Sequence, residues 1–257
     1  RCFPSRTRPS SRAAFLFSSG GGPISRAAFE ATLEKTDELL GQTADGPFFA
    51  GTQFTAADIA WAPFLERYAH QLPALHEGLV PRDASKYPSL ARWYEAMESR
   101  VPAYCSRVQG DGESWRKVLL MQGYGNGGQA PRGLKAVQET YAGTMDPARP
   151  ACLTAWEAYV ETRPYLGATP AEACAGRLLR NAGPIKADAI RKGGADCETA
   201  DDALREVVAA LLDGEMGKLS DEGAKLARFL DNRICVPRDM GCLPVQGLRA
   251  LARNSGR

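Results

Sequence analysis

An all-α protein is what this chain of 257 residues predicts. Apolar residues recur at three- and four-residue spacing along much of it, the period of a helix with one buried face. Helix-start signatures, a Ser or Thr followed three residues later by Asp or Glu, precede several of those stretches. Strand signals are nearly absent.

Composition narrows the class. Hydrophobic residues make up 44% of the chain and the net charge is +2, both ordinary for a globular protein. No apolar run approaches the ~18 residues of a membrane span. The charge is unevenly placed. Residues 1–28 hold Arg1, Arg6, Arg8, Arg12 and Arg26 and no acid, so they carry +5 of the total +2 and leave −3 for the rest. The chain begins with Arg rather than Met, and an Arg- and Ser-rich, acid-free leader has the composition of an organelle transit peptide. A solvated basic linker fits the same residues. So short an arm on a slightly acidic body argues against a nucleic-acid partner. Seven cysteines, an odd number lying far apart and with no Cys-x-x-Cys, predict reduced thiols and a reducing compartment, plastid stroma or cytosol.

The elements follow in order. Residues 26–40 place Phe29, Leu33, Leu39 and Leu40 near one helical face, with Ser25 as N-cap and Gly41 as stop. A Gly- and Thr-rich turn spans 43–53. Thr55 then starts the clearest helix of the chain. Asp58 sits at its third position, completing a capping box with Asp in place of the commoner Glu or Gln. Phe54 and Ile59 supply the hydrophobic staple. From Ile59 to Leu65 there is almost no polar face, which predicts a helix buried on all sides, kinked at Pro63. A loop is expected over 71–88, with Pro73, Gly78, Pro81 and Pro88. The next helix carries Leu90, Trp93, Tyr94 and Met97 inward and Arg92, Glu95, Glu98 and Arg100 outward, and Pro102 ends it.

Gly, Pro, Gln and Asn accumulate from 106 to 150, a domain boundary with a short helix from Trp115 to Met121. The last third is helical again. Thr169-Pro-Ala-Glu172, Thr199-Ala-Asp-Asp202 and Ser220-Asp-Glu each announce a helix. Leu204, Val207, Val208, Leu211 and Leu212 line the second, and Leu226, Phe229 and Leu230 the third. A short helix is expected around Leu248 to Leu251. The three late helices read as a small bundle.

Chemistry is sparse. Cys105 lies near a helix end, where nothing lowers a thiol's pKa, and reads as a buried structural residue. Cys235 and Cys242 could pair or hold a metal. The only histidines, His70 and His76, are six residues apart across an expected helix end, a poor match to the paired ligands of a zinc site. Gly123 to Gly128 has no Lys-Ser/Thr after it and no strand before it, so it is a loop and not a P-loop. Glu66, Glu95 and Glu98 read as solvated partners of nearby Arg residues.

Several of these residues together resemble the all-α C-terminal domain of glutathione S-transferases, over about residues 12 to 108. The specific parts are Gly46-Pro47-Phe48-Phe49 with Gly51, Phe54-Thr55-x-x-Asp58 and Pro63-Phe64-x-Glu66-Arg67. Tyr87-Pro88-x-Leu90-x-x-Trp93 and Met97-x-x-Arg100-x-Pro102 follow. They look most like the lambda, omega and dehydroascorbate-reductase-like branch. The resemblance implies a first helix starting at Ala13-Ala14-Phe15-Leu16-Phe17, a structural role for the Thr55/Asp58 box, and a hydrophobic-substrate wall formed by Trp61, Arg67 and Tyr68. For those three, core packing is the competing reading. In the family a thioredoxin-like N-terminal domain binds glutathione and supplies the catalytic Cys, Ser or Tyr. No such unit is recognisable in residues 1–28. The region after 110 departs from the common family length and looks like an added helical module.

The expected organisation is a basic arm (1–24), a transferase-like helical domain (25–110), a Gly/Pro-rich crossing (111–168) and a helical module (169–257). The expected function is a non-catalytic scaffold, a binding or structural subunit of a larger assembly in a plastid. Its partners would be other protein subunits, with peripheral association with a membrane complex open. No catalytic residue, metal ligand or cofactor is assigned. The alternative is the C-terminal part of a glutathione-dependent transferase or thiol reductase, for which glutathione would be the cofactor.

Overall fold

The computed structural model describes residues 25–43, 45–110, 114–115, 150–214 and 219–254. The basic arm, the 123–128 loop and residues 116–121 of the expected short helix lie outside them. The described residues divide into two compact units. One holds those up to 104 with 110, 114 and 115; the other holds 105–109 and those from 150 onward. All regular structure among the described residues is helical; the pairings Phe48–Gly51 and Ala50–Gln53 are isolated bridges. No described helix is long and apolar enough to cross a membrane.

In the first unit, α1 (Arg26–Gly41) starts on the Ser25 hydroxyl, which accepts the Ala28 amide at 3.3 Å. It buries Phe29, Leu33, Thr36 and Leu40. A tight turn follows, in which Gly46 is indispensable: a Cβ there would fall 2.2 Å from the Gly51 backbone. α2 (Ala56–Leu75) opens with a reciprocal capping box of Thr55 and Asp58. α3 (Pro88–Arg100) begins with Pro at its first position, where a missing N–H costs nothing. Its own N-cap, Tyr87, gives no side-chain bond. Asp37 of α1 takes that part, its Oδ1 accepting the Leu90 amide at 2.8 Å. The chain then enters the π-helical turn Tyr104–Val108, of which only Tyr104 belongs to this unit.

Two expectations for α2 need correcting. The helix runs through Pro73 to Leu75, so the loop begins later than residue 71. Nor is it buried all round. Leu65, Ala69 and Leu72 face the core, but Ala56, Ile59, Ala60 and Pro63 are exposed, Ile59 by 60%. These four lie at i, i+3, i+4 and i+7, one whole face. An absence of polar residues removes the signal that tells inside from outside, so the pattern alone could not choose.

The second unit contains α4 (Pro150–Val160), α5 (Pro170–Arg180), α6 (Ala182–Gly193), α7 (Cys197–Asp213), α8 (Asp221–Arg233) and α9 (Cys242–Asn254). Its core joins Cys174 and Leu178 of α5, Leu204, Val207 and Leu211 of α7, Leu226 and Leu230 of α8, and Val245, Leu248 and Leu251 of α9. α9 is its most buried element and approaches α7 closely: a Cβ on Gly247 would touch a Leu211 methyl at 3.0 Å. It is longer than the short helix expected around Leu248. Buried Arg249 of α9 is paired with Asp231 of α8 at 3.2 Å.

Three further differences stand out. α4 lies within the stretch read as an irregular crossing, and α6 had no signature at all. α7 starts at Cys197 and not after Thr199, because Asp196 is its cap, with Oδ1 accepting the Thr199 amide at 2.8 Å. The Thr169 and Ser220 hydroxyls do cap α5 and α8, by accepting the amides of Glu172 and Gly223.

Candidate functional site

The largest concentration of buried polar chemistry in the first unit surrounds Glu66. This residue was read as solvated; it is fully buried. Glu66 lies one turn before His70 on α2, and the His70 Nε2 is 2.7 Å from its Oε1. The Gly110 amide donates to the same oxygen at 2.9 Å. The other oxygen accepts the Tyr104 hydroxyl and lies 3.7 Å from an Arg82 nitrogen. Arg82 also reaches Glu98 at 2.6 Å and stacks over the Tyr94 ring at 4.3 Å. Beside this group, His70 stacks on Trp115 and Gln71 donates to the Trp115 carbonyl at 3.4 Å.

Electrostatics follow from the geometry. Burial is the strongest influence on Glu66 and opposes its ionisation. The His70 ring, the Arg82 charge and the Tyr104 hydroxyl together outweigh it and hold the carboxyl below its ordinary range. Burial, and then Glu66, push the Tyr104 phenol well up. A carboxylate with donors on both oxygens is a strut and not a base. It ties α2 to the turn at Tyr104 and to the backbone at Gly110.

Asp58 is equally committed. It is fully buried. Its Oδ2 accepts the Thr55 amide at 2.9 Å and the Thr55 hydroxyl at 3.2 Å. Its Oδ1 accepts the Phe49 amide at 3.2 Å and the Trp93 indole at 3.0 Å. Thr55 returns a weaker bond, accepting the Ala57 amide at 3.4 Å.

The three wall candidates have different neighbours. Trp61 is half-buried beside Phe64, with ring centres 5.8 Å apart. The Arg67 guanidinium lies 5.3 Å over the Trp115 ring. Tyr68 is in the core, edge-on to Phe29 at 5.5 Å, and its burial pushes the phenol up to about 12. His70 and His76 part company as well: His76 ends α2 against the Phe29 ring. Cys105, Cys235 and Cys242 are each buried, and no disulfide joins Cys235 to Cys242. Among the described residues no three His, Cys, Asp or Glu side chains gather as metal ligands would.

Residues 12–96 match the family model for the glutathione S-transferase C-terminal domain. Over that stretch the chain is similar to this family's domain. The stretch makes up about a third of the sequence and ends inside α3, so the match covers Thr55, Asp58, Glu66 and the three wall candidates but not the second unit. No curated protein and no solved structure matches the chain.

The Glu66 cluster was the residue group most open to misreading. Its signal was position: Glu66 directly follows the apolar stretch Ile59 to Leu65. Spacing offered a second clue, since Glu66 and His70 stand at i and i+4, where a helix brings side chains together.

Proposed function

We propose that the transferase-like domain serves as a helical scaffold, a binding or structural subunit, and performs no chemistry of its own. What supports this reading best is the exposed apolar face of α2. Ala56, Ile59, Ala60 and Pro63 present one stripe to the surface, and Phe54 adds a ring that is 41% exposed. Contiguous apolar surface of this kind is what protein partners cover. The polar groups of the domain point the same way. Asp58 and Glu66 have their oxygens occupied by backbone and side-chain donors that hold helices in place. The partner is another protein subunit, and the setting a larger assembly in a reducing compartment such as a plastid stroma.

Native purification with crosslinking and mass spectrometry tests the reading. Crosslinks from the partner should fall on residues 52–64, and Ile59→Asp should release it while leaving the helical content intact. A partner retained by that variant would count against it. Calorimetry with glutathione should show no saturable heat; micromolar affinity would overturn the scaffold.

The family match itself favours a second reading. The domain could be the helical part of a glutathione-dependent transferase or thiol reductase, with Trp61, Arg67 and Tyr68 beside its hydrophobic substrate. The same calorimetric titration separates the two.

A further inference from the structure

The second unit holds a cleft of about 470 Å³ whose walls are of two kinds. One wall is aromatic: Trp156 and Tyr159 of α4, and Tyr165 in the turn after it. The other is basic: Arg177 and Arg180 of α5, and Arg107. The volume suits a ring system with a substituent.

The aromatic wall is built and not accidental. Trp156 is buried, and its indole N–H donates to the Ala168 carbonyl at 3.0 Å, which fixes the ring. Arg163 stacks on the Tyr159 ring at 4.4 Å and donates to the Tyr159 carbonyl at 2.7 Å. Tyr165 is 74% exposed, a large ring left in water at the cleft's edge.

The basic wall carries an excess of positive charge. Arg107, Arg177 and Arg180 are exposed, and none of them forms an ion pair among the described residues. One carboxylate, Asp239, also lines the cleft. Its oxygens are already engaged: Arg238 donates to both at 2.8 Å, and the Cys235 amide donates to Oδ2 at 2.9 Å. Three arginines therefore line a cleft with one acid, which Arg238 already chelates and Arg177 also attracts. Arg107 is held near α9 by its neighbour. The Ser106 carbonyl approaches Gly241 so closely that a Cβ there would fall 2.2 Å from its oxygen.

We propose that this cleft binds a small planar molecule carrying a carboxylate or a phosphate. Its ring would lie against Trp156, Tyr159 and Tyr165, and its anionic group would meet Arg107, Arg177 and Arg180. Rings stack on aromatic faces, and guanidinium forks pair with both kinds of anion. The site lies outside the transferase-like domain and does not depend on the scaffold reading.

Calorimetry on the full chain tests it with three probes of one shape: 2-naphthoate, 2-naphthyl phosphate and the neutral 2-naphthalenemethanol. At least one anion should bind at a single site with Kd on the order of 0.1 mM, and the alcohol should bind at least roughly tenfold more weakly. The tighter of the two anions identifies the natural head group. The double variant Arg177→Gln/Arg180→Gln, altered only at exposed positions, should lose about tenfold or more. Tyr165→Ala should weaken binding about threefold or more. Arg205→Gln, on α7 away from the cleft, should change nothing. No saturable binding by either anion, equal binding of the alcohol, or wild-type affinity in the double variant or in Tyr165→Ala would overturn the proposal.

Discussion

Trp93 donates its indole N–H to Asp58 at 3.0 Å, linking the middle of α3 to the first turn of α2. The same carboxylate caps α2 through Thr55 and holds the preceding turn through the Phe49 amide. A local capping box has thereby become a three-way junction in the core of the transferase-like domain.

Replacing Asp58 should therefore cost more than a cap. A lost capping box alone is worth ~0.5–2 kcal/mol. Asp58→Ala also strands a buried indole N–H and a backbone amide, each costing about 1–3 kcal/mol. The expected loss is about 3 kcal/mol or more by urea unfolding, against about 1 kcal/mol for Ser25→Ala at the exposed cap of α1. Equal losses would show that the junction contributes nothing.

Glu66 predicts how stability responds to acid. Its carboxyl is held below the ordinary value of 4.5 in the fold. The unfolded chain thus takes up the proton first. The stabilisation is fully present above the unfolded pKa and is lost as pH falls through the folded one. Melting temperature should drop from about pH 4.5 downward, and Glu66→Gln should flatten that part of the profile. The variant should also be less stable at pH 7 by about 1–3 kcal/mol, since its amide must place a donor against donors. An unchanged acid limb would assign the pH response to other groups.

Cys174 should be inert in the folded protein. It is buried in the core of the second unit, and burial pushes its thiol up to about 12, the Leu248 backbone opposing weakly. The thiolate needed for alkylation is then scarce at pH 8. Mass-spectrometric mapping with iodoacetamide should find Cys152, which is only half-buried, labelled well before Cys174. Denaturant should remove the difference.

Two glycines make a contrasting pair. Gly241→Ala drives a methyl group into the Ser106 carbonyl and should destabilise by about 1–3 kcal/mol. Gly183, in the first turn of α6, has open space around its Cβ direction. Gly183→Ala should leave stability unchanged or raise it by up to ~1 kcal/mol. Thermal denaturation of both variants decides the matter.

What could be read from the sequence was local. Thr55 and Asp58 stand three residues apart, and capping acts over that distance. Leu90, Trp93, Tyr94 and Met97 share a face of α3, and all four are buried. Proline reads as a helix start where a cap residue announces it, as at Pro170. Pro150 is the first residue of α4, and Pro184 lies in the first turn of α6. At such positions the missing N–H has no intrahelical partner to lose, yet Pro150 closes the Gly/Pro-rich stretch that reads as irregular. The partners of Glu66 lay beyond reach for another reason. Tyr104 and Gly110 are 38 and 44 residues away in the chain, and no periodicity carries across that distance. The two walls of the second unit's cleft come from separate helices for the same reason.

Glu206 of α7 grips the start of α8 by accepting both the amide and the hydroxyl of Ser220. That clasp, fourteen positions apart in sequence, aligns the two helices independently of the peptide joining them. One surface carboxylate thus keeps two core helices in step, and trading Glu206 for an uncharged residue would let the head of α8 drift.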